Sequence, residues 1–293
     1  MEERIASPAK TIQILQENDF RFSKKFGQNF LIDLHVLGKI IRAAEIGPDD
    51  ICVEIGPGIG SLTQELAEHA AQVIAVEIDD RLIPILEENL ADYPNVRLIH
   101  ADFLKLDLSA ELIRMGVERP IKVIANLPYY ITTPIIMQLF ESGIPLANMT
   151  VMVQEEVARR MQAGPGTKDY GALSLAVQYY AQAEIMAYVP QNCFMPRPNV
   201  RSAVIRLKAY KEKPVRARDE KQMFDLIKAA FGERRKQLAN SIANYPGLSY
   251  DKNRVAAALE ALGLSAQIRG EALTLEQFAA LSDALDELKA EGE

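Results

Sequence analysis

Val53-Glu54-Ile55-Gly56-Pro57-Gly58-Ile59-Gly60 closes a short β-rich run, and a helical pattern from Ser61 to Glu68 follows it directly. A strand, a glycine loop and a helix in that order describe a loop on the nucleotide side of an α/β unit. Glycines at 56, 58 and 60 allow a ligand to approach the backbone where a Cβ would block it. The dinucleotide fingerprint would place Gly at 61, where this chain has Ser61, so a pyrophosphate is not the obvious guest. The next strand-like run, Gln72-Val73-Ile74-Ala75-Val76, ends in Glu77, an acid placed where a ribose diol could donate to it. That combination suits NAD or S-adenosylmethionine.

Outward from the loop, the chain from Asp33 to about Gln154 alternates helices with short β-rich runs. Strands are expected at Ile51-Ile55, Gln72-Val76, Val96-His100, Ile121-Asn126 and Thr150-Gln154, with helices near 36–44, 60–69, 80–90 and 133–142. Alternation at this spacing argues for a parallel sheet covered by helices on both faces. Ligands of such sheets sit at the carboxyl ends of the strands, where Gly56, Glu77, Asp102 and Asn126 all fall. Two later runs, Glu184-Tyr188 and Ala203-Leu207, flank the Asn192-Pro198 loop and are candidates for an antiparallel pair on the sheet edge.

Asn126-Leu127-Pro128-Tyr129 follows the fourth expected strand. The Asn126 side-chain oxygen and the carbonyl before Pro128 are two acceptors able to face one amino group, and proline stiffens the turn that presents them. Tyr129 is placed to stack on a flat base. The same residues also fit an ordinary strand-to-helix turn, because Asn and Pro are common there.

Taken together, the glycine loop, Glu77, His100-Ala101-Asp102 and Asn126-Leu127-Pro128-Tyr129 resemble the S-adenosylmethionine-dependent N6-adenine methyltransferases. More narrowly, Phe26-Gly27-Gln28-Asn29-Phe30-Leu31-Ile32-Asp33, the run Asn126 to Pro134 and the run Asn192 to Val204 are similar to the bacterial KsgA/RsmA family of small-subunit rRNA adenine N6,N6-dimethyltransferases. The resemblance spans about Phe20 to Asn244. It implies a Rossmann-like class I methyltransferase sheet, mostly parallel and seven-stranded, with a small C-terminal all-helical domain. It also implies transfer to two adjacent adenosines near the 3′ end of 16S rRNA, in the 30S subunit or its precursor, and a role in ribosome biogenesis.

Carried over residue by residue, the resemblance puts Asn29 and Leu31 at the methionine end of S-adenosylmethionine and Gly56 and Gly58 beneath it. Glu77 would then accept from the ribose hydroxyls and Asp102 from the adenine amine. Asn126 would face donor and target alike, and Asn126, Leu127, Pro128 and Tyr129 would grip the target adenine with Phe194 on its other face. Singly, Asp102 reads as a turn residue, Glu77 as a surface acid, Asn29 as a helix cap and Phe194 as core. Pro196-Arg197-Pro198-Asn199 departs from relatives that often carry Lys there.

Net charge is −7 and the sequence pI near 5.3, unusual for an RNA enzyme, but the charge is segregated. From Arg197 to Lys236 there are 13 Lys and Arg against 5 Asp and Glu. A basic segment of this kind is the footprint of phosphate binding, and equally of a solvated charged face. Arg197, Arg201, Arg234, Arg235 and Lys236, with Arg21, Lys24 and Lys25 near the N-terminus, are the candidate RNA contacts. The cations at 234–236 are expected to open a helix.

Apolar periodicity lapses around Lys211-Arg218 and helical patterns resume near 222–231, 234–244, 251–262 and 274–288. The expected domains are therefore 1–213, catalytic, with an N-terminal extension over 1–25, and 214–293, helical and RNA-binding. The N-terminus lacks the apolar core of a secretory signal and no run approaches membrane-spanning length, so a cytoplasmic protein is expected, and a monomeric one because no sequence feature requires more than a monomer. Cys52 and Cys193 are too few for a disulfide framework, and His35, His69 and His100 lack the spacing of a metal cluster, so no metal is expected. The alternatives are a large-subunit (23S) adenine methyltransferase of the macrolide-resistance type, whose members tend to be strongly basic, and a largely non-catalytic ribosome-assembly factor. A DNA adenine methyltransferase is weakened by the lack of an evident target-recognition insert.

Overall fold

The alternating pattern becomes alternating structure in the computed structural model of the protein, which describes residues 4–23 and 26–290. In chain order the elements are α1 (Pro8–Glu17), β1 (Phe30–Leu31), α2 (Leu34–Ala44), β2 (Ile51–Ile55), α3 (Ser61–His69), β3 (Gln72–Glu77), α4 (Ile83–Asn89) and β4 (Val96–His100). They continue with α5 (Leu108–Arg114), β5 (Ile121–Asn126), α6 (Thr132–Glu141), β6 (Leu146–Gln154), α7 (Glu155–Gln162), α8 (Ala172–Tyr180), β7 (Ala181–Val189), β8 (Phe194–Met195) and β9 (Ser202–Ala209). Four helices complete the chain: α9 (Glu220–Gly232), α10 (Leu238–Ala243), α11 (Lys252–Ala261) and α12 (Leu275–Ala290).

Seven strands form one sheet in the order β4-β3-β2-β5-β6-β9-β7. Pairs from β4 to β6 are parallel, and β9 runs antiparallel to β6 with Val151 opposite Ile205. This is the Rossmann-like, mostly parallel seven-stranded sheet that the resemblance implies. Strand β2, inside the sheet, is buried at every residue, which is why apart from Glu54 it reads as an apolar run rather than an alternating one. Helix α2 shows how a covering helix is specified. Asp33 accepts from the Val36 N–H at 3.0 Å to cap it, and Val36, Leu37, Ile40, Ile41 and Ala44 bury one stripe. Full burial of a side chain such as Leu37 stabilises by about 1.5–3 kcal/mol.

Besides α5, α7 and α8, two features are not anticipated by the sequence pattern. Helix α1 begins at Ser7-Pro8, with Ser7 Oγ accepting from the Lys10 N–H and proline in the first turn, a readable start signal. The two-residue strands β1 and β8 pair antiparallel, Leu31 opposite Phe194, and so join segments distant in sequence.

The chain divides into two compact units, Met1–Ala158 with Glu184–Ala209, and Arg159–Ala183 with Tyr210–Glu293. A single boundary after residue 213 does not describe this division, because the segment 159–183 belongs with the C-terminal helices. Tyr170, Leu175 and Tyr179 from that segment are buried in one apolar cluster with Met223, Leu226, Phe278 and Leu281. The Tyr170 hydroxyl also donates to the Leu273 carbonyl at 2.8 Å. In this second unit α12 opens with a reciprocal cap, in which Thr274 N–H donates to Gln277 Oε1 and Gln277 N–H to Thr274 Oγ1. Arg234, Arg235 and Lys236 do not open a helix. They occupy the turn between α9 and α10, closed by the Lys236 N–H donating to the Glu233 carbonyl at 2.8 Å.

Candidate active site

Four parallel strands end on the same side, and the loops that follow β2, β3, β4 and β5 line a cavity of about 310 Å³. That volume lies in the range of small-molecule sites, roughly 300–1,000 Å³. Gly56 and Gly58 come from the first loop, Glu77 from the second, Asp102 from the third and Asn126 through Tyr129 from the fourth. Asn29 and Leu31 approach from the segment around β1. All ten of these residues, separated in sequence, line one cavity.

Glu77 is held by three backbone donors: Gly58 N–H reaches Oε2 at 3.2 Å, while Ile78 and Asp79 N–H reach Oε1 at 2.8 and 2.9 Å. Burial pushes its carboxyl up from the usual range and these donors oppose the shift. Oε2, with one donor, keeps capacity for a ligand hydroxyl. The two glycines act differently from each other. Both have positive φ, 70° at Gly56 and 63° at Gly58. A Cβ at Gly56 would meet nothing within 4 Å, so the space there belongs to the cavity. A Cβ at Gly58 would come within 3.0 Å of the Phe30 ring, so packing, as well as ligand approach, requires glycine there.

Asp102 caps the short turn Phe103–Lys105 by accepting from the Leu104 N–H at 3.1 Å, and Lys105 Nζ stands 3.6 Å from its other oxygen. Asn126 Nδ2 donates to the Asn29 carbonyl at 2.9 Å, which leaves Oδ1 as the acceptor of that amide. Pro128 turns the chain, and its carbonyl accepts from the Ile131 N–H at 3.2 Å. The hydroxyl of Tyr129 is 2.9 Å from Ser202 Oγ, which fixes the ring, and burial pushes its phenol up.

Phe194 does not join this lining. It is 3% exposed and belongs to the apolar cluster of Leu31, Val36, Ile40 and Val204, because its strand pairing places it opposite Leu31 and behind the cavity wall. The basic candidates also separate. Arg234 is committed to its own unit, donating to Glu271 at 2.7 Å and to the carbonyls of Lys168 and Thr167 at 2.7 and 2.9 Å. Lys236 pairs with Glu233 at 2.6 Å, and Arg201 with Glu155 at 3.3 Å while lying over the Tyr188 ring. Arg21, Arg197 and Arg235 are exposed. Lys24 and Lys25 lie outside the described residues.

Two groups lining the site, Glu54 and Tyr130, and one behind it, Asp79, carry no expected role in the sequence pattern. Glu54, in the glycine motif itself, is 1% exposed, lines the cavity and has Oε2 without a protein partner. Burial, with the nearby charge of Glu77 adding to it, pushes its carboxyl up to about 8. Asp79 is buried and receives Arg81 through both Nε and Nη2, and Gln28 Nε2 at 2.7 Å. Burial pushes Asp79 up, but those hydrogen bonds win and hold it below the usual range. Its sequence signal was the acidic run Glu77-Ile78-Asp79-Asp80 after β3. Tyr130 lines the cavity mouth and is 61% exposed. The doubled tyrosine was visible in sequence, but which ring faces outward was not.

These residues fit a nucleoside-bearing methyl donor. An anchored carboxylate for a ribose stands beside Ile78, an apolar side chain 45% exposed at the cavity, and Asp102 lines the same wall. Open space over Gly56 and the partnerless Glu54 oxygen leave room and polarity for the donor's other end.

Comparisons with known proteins agree. The family model for ribosomal RNA adenine dimethylase matches residues 19–285. A protein of Lachnoclostridium phytofermentans named ribosomal RNA small subunit methyltransferase A is 60% identical over 284 residues, covering 97% of this chain and 98% of the relative. A protein of the same name from Streptococcus sanguinis is 50% identical over 291 residues and covers 99% of each. Among solved structures, a dimethyladenosine transferase from Plasmodium falciparum superposes with a TM-score of 0.73 at 25% identity, covering 90% of this chain and 98% of that one. The 23S rRNA methyltransferase ErmE gives 0.68 at 29% identity, covering 88% and 100%.

Proposed function

This chain belongs to the ribosomal RNA adenine dimethylase family, and from that premise we propose that its cavity is where adenosines of small-subunit rRNA are held for methylation, with Asn126 and Tyr129 as the residues that present the base. The protein is an S-adenosylmethionine-dependent adenine N6,N6-dimethyltransferase of 16S rRNA. The observation that carries the site assignment is the engaged amide of Asn126, whose nitrogen is spent on the Asn29 carbonyl and whose oxygen is left for a donor.

S-adenosylmethionine supplies an electrophilic methyl group when bound. Glu77 would hold its ribose, Asp102 its adenine amine, and Asn29, Leu31, Gly56 and Gly58 would surround its remainder. An adenine N6 amine is a poor nucleophile because its lone pair is delocalised into the ring. Asn126 Oδ1 and the Leu127 carbonyl, each accepting one N–H, would orient the amine and favour its pyramidal form. Positive charge develops on N6 as transfer proceeds, and these fixed oxygen dipoles stabilise it without a strong base. Holding amine and methyl group at attack distance supplies much of the remaining acceleration. The target base leaves its stack to enter such a cavity, and Tyr129, locked through Ser202, is positioned to stack on it.

Exposed Arg21, Arg197 and Arg235 are the proposed phosphate contacts, because among the described residues their guanidinium groups have no ion-pair partner of the kind that holds Arg234. The substrate particle is the 30S subunit or its precursor, the two target adenosines are adjacent, and the protein works as a monomer in the cytoplasm. No helix among the described residues is long and apolar enough to cross a membrane. The test is incubation with labelled S-adenosylmethionine and, separately, 30S subunits, 50S subunits, naked rRNA and duplex DNA, followed by mapping of the methylated base. Label as N6,N6-dimethyladenosine in small-subunit rRNA is expected. Label confined to 50S subunits or DNA overturns the reading, and no label anywhere favours an assembly factor that keeps the fold without the chemistry.

A further inference from the structure

We infer that Tyr130 forms a stacking platform outside the cavity for the nucleobase next to the target adenine, so that the site reads two bases, one inside and one at the mouth. The inference rests on the proposed assignment of the cavity to an rRNA adenine. It starts from the contrast between the two tyrosines of the Asn126-to-Pro134 run. Tyr129 is half-buried and its hydroxyl is anchored on Ser202. Tyr130 is 61% exposed, the most exposed aromatic ring among the described residues, and its hydroxyl has no hydrogen-bond partner among them. An exposed aromatic face beside such a cavity is a surface on which a nucleobase can stack.

The surroundings of Tyr130 define what could cover it. Its ring stands over Gly27, where an added Cβ would lie 3.4 Å from Cε1, so one edge leans on the segment carrying Gln28 and Asn29. Asp102 is close enough to push its phenol further up after burial has done so. Leu104, 38% exposed, lines the same cavity. The shelf is therefore a flat aromatic face on the rim of the cavity that Leu104 also lines, and among the described residues no cation lies over the Tyr130 ring; the nearby Lys105 is paired with Asp102 at 3.6 Å. That chemistry suits a base rather than a phosphate. A nucleotide drawn from a strand brings its neighbour with it, within one backbone repeat of the cavity. Every base presents a π face, so a shelf of this kind adds affinity with little sequence preference.

The test uses the full-length protein with S-adenosylhomocysteine saturating, so that the donor's own adenine site is filled, and compares binding of adenosine 5′-monophosphate with the dinucleotide ApA. The wild-type protein is expected to bind ApA about tenfold more tightly than the mononucleotide, within the range of one stacked base. In Tyr130→Ala that increment is lost while mononucleotide binding is unchanged; Tyr130→Phe keeps it and Tyr130→Trp enlarges it. In steady-state methylation, Tyr130→Ala raises KM for the RNA with kcat retained. The inference is overturned if the second base adds nothing in the wild-type protein, or if Tyr130→Ala keeps the increment. It is also overturned if Tyr130→Phe loses the increment, since that assigns the effect to the hydroxyl. Methylation of small-subunit rRNA by the wild-type preparation is scored in parallel, which separates failure of this shelf from failure of the assigned activity.

Discussion

The side-chain amide of Asn126 and the main-chain carbonyl of Asn29, 97 residues apart in the chain, are joined by a hydrogen bond of 2.9 Å. The segment before β1 thereby sets which face of the Asn126 amide looks into the cavity. That segment is itself tied to the loop after β3, since Gln28 Nε2 donates to Asp79 and Arg81 Nη1 to the Arg21 carbonyl. Amine grip, donor loop and N-terminal segment are thus one hydrogen-bonded assembly.

Removing the grip separates chemistry from binding. Asn126→Ala is expected to lower the methyl-transfer rate by about 10²–10³, the usual effect of deleting one preorganised polar group. Affinity for S-adenosylhomocysteine should change by less than about tenfold, or 1.4 kcal/mol. Single-turnover transfer and calorimetry on the same preparation measure the two, and retained turnover removes Asn126 from its role.

The two glycines of the loop should fail in different ways. Each alanine substitution pays about 1–2 kcal/mol for a left-handed backbone. Gly58→Ala must also displace the Phe30 ring, whereas Gly56→Ala adds a methyl group to open cavity space. Melting temperature should therefore fall further in Gly58→Ala. Binding of S-adenosylhomocysteine should suffer directly in Gly56→Ala, by about tenfold or more. Equal melting temperatures and equal affinities in the two variants would refute the distinction.

Glu54 makes stability depend on pH. Its folded carboxyl is pushed from 4.5 up to about 8 by burial, so between those values the folded protein keeps a proton that the unfolded chain has lost. Stability from this group is full below pH 4.5 and declines as pH rises to about 8. Glu54→Gln, neutral throughout, should gain on the wild-type protein across that window and hold a constant difference on either side of it. Thermal melts of the ligand-free proteins at half-unit steps give the comparison. A difference independent of pH would show that Glu54 does not titrate in this way.

Neighbouring arginines in one turn should report on different properties. Arg234 satisfies Glu271 and two carbonyls, so Arg234→Ala is expected to lower the melting temperature by about 2–4 °C, the shift per kcal/mol in chains of this size. Arg235 is exposed, and Arg235→Ala should leave melting unchanged. It should instead reduce the salt dependence of rRNA binding by about 0.7–0.9 in log–log slope, the value of one phosphate contact. Salt titrations of binding decide it, and an unchanged slope excludes Arg235 from the interface.

What could be read from the sequence is what depends on neighbours in the chain. Strands β2 and β3 are nearly uninterrupted apolar runs, the glycine loop follows the first directly, and Glu77 ends the second. Their convergence at the carboxyl ends follows from parallel order alone. Phe194 lies outside the cavity lining because its environment is set by a two-residue pairing with β1, which carries no periodicity. Charge alone makes Arg234 a candidate RNA contact and says nothing about Glu271, far along the chain, which meets its guanidinium at 2.7 Å. The helix start expected at 234 failed for a related reason: Gln237, not the cations, precedes the first turn of α10.

The interleaved path of the chain limits how this protein can be taken apart. Since 159–183 and 210–293 share one core, a stop codon after Ala209 would leave Tyr170, Leu175 and Tyr179 with their apolar surfaces uncovered, on an insertion with nothing to fold against. Anyone wishing to transplant the helical unit, or to express the methyltransferase sheet alone, must make two incisions and splice a new connection from Ala158 to Glu184. By the same token, gene fusions or exchanges between relatives that swap only the C-terminal segment would pair half of one core with half of another.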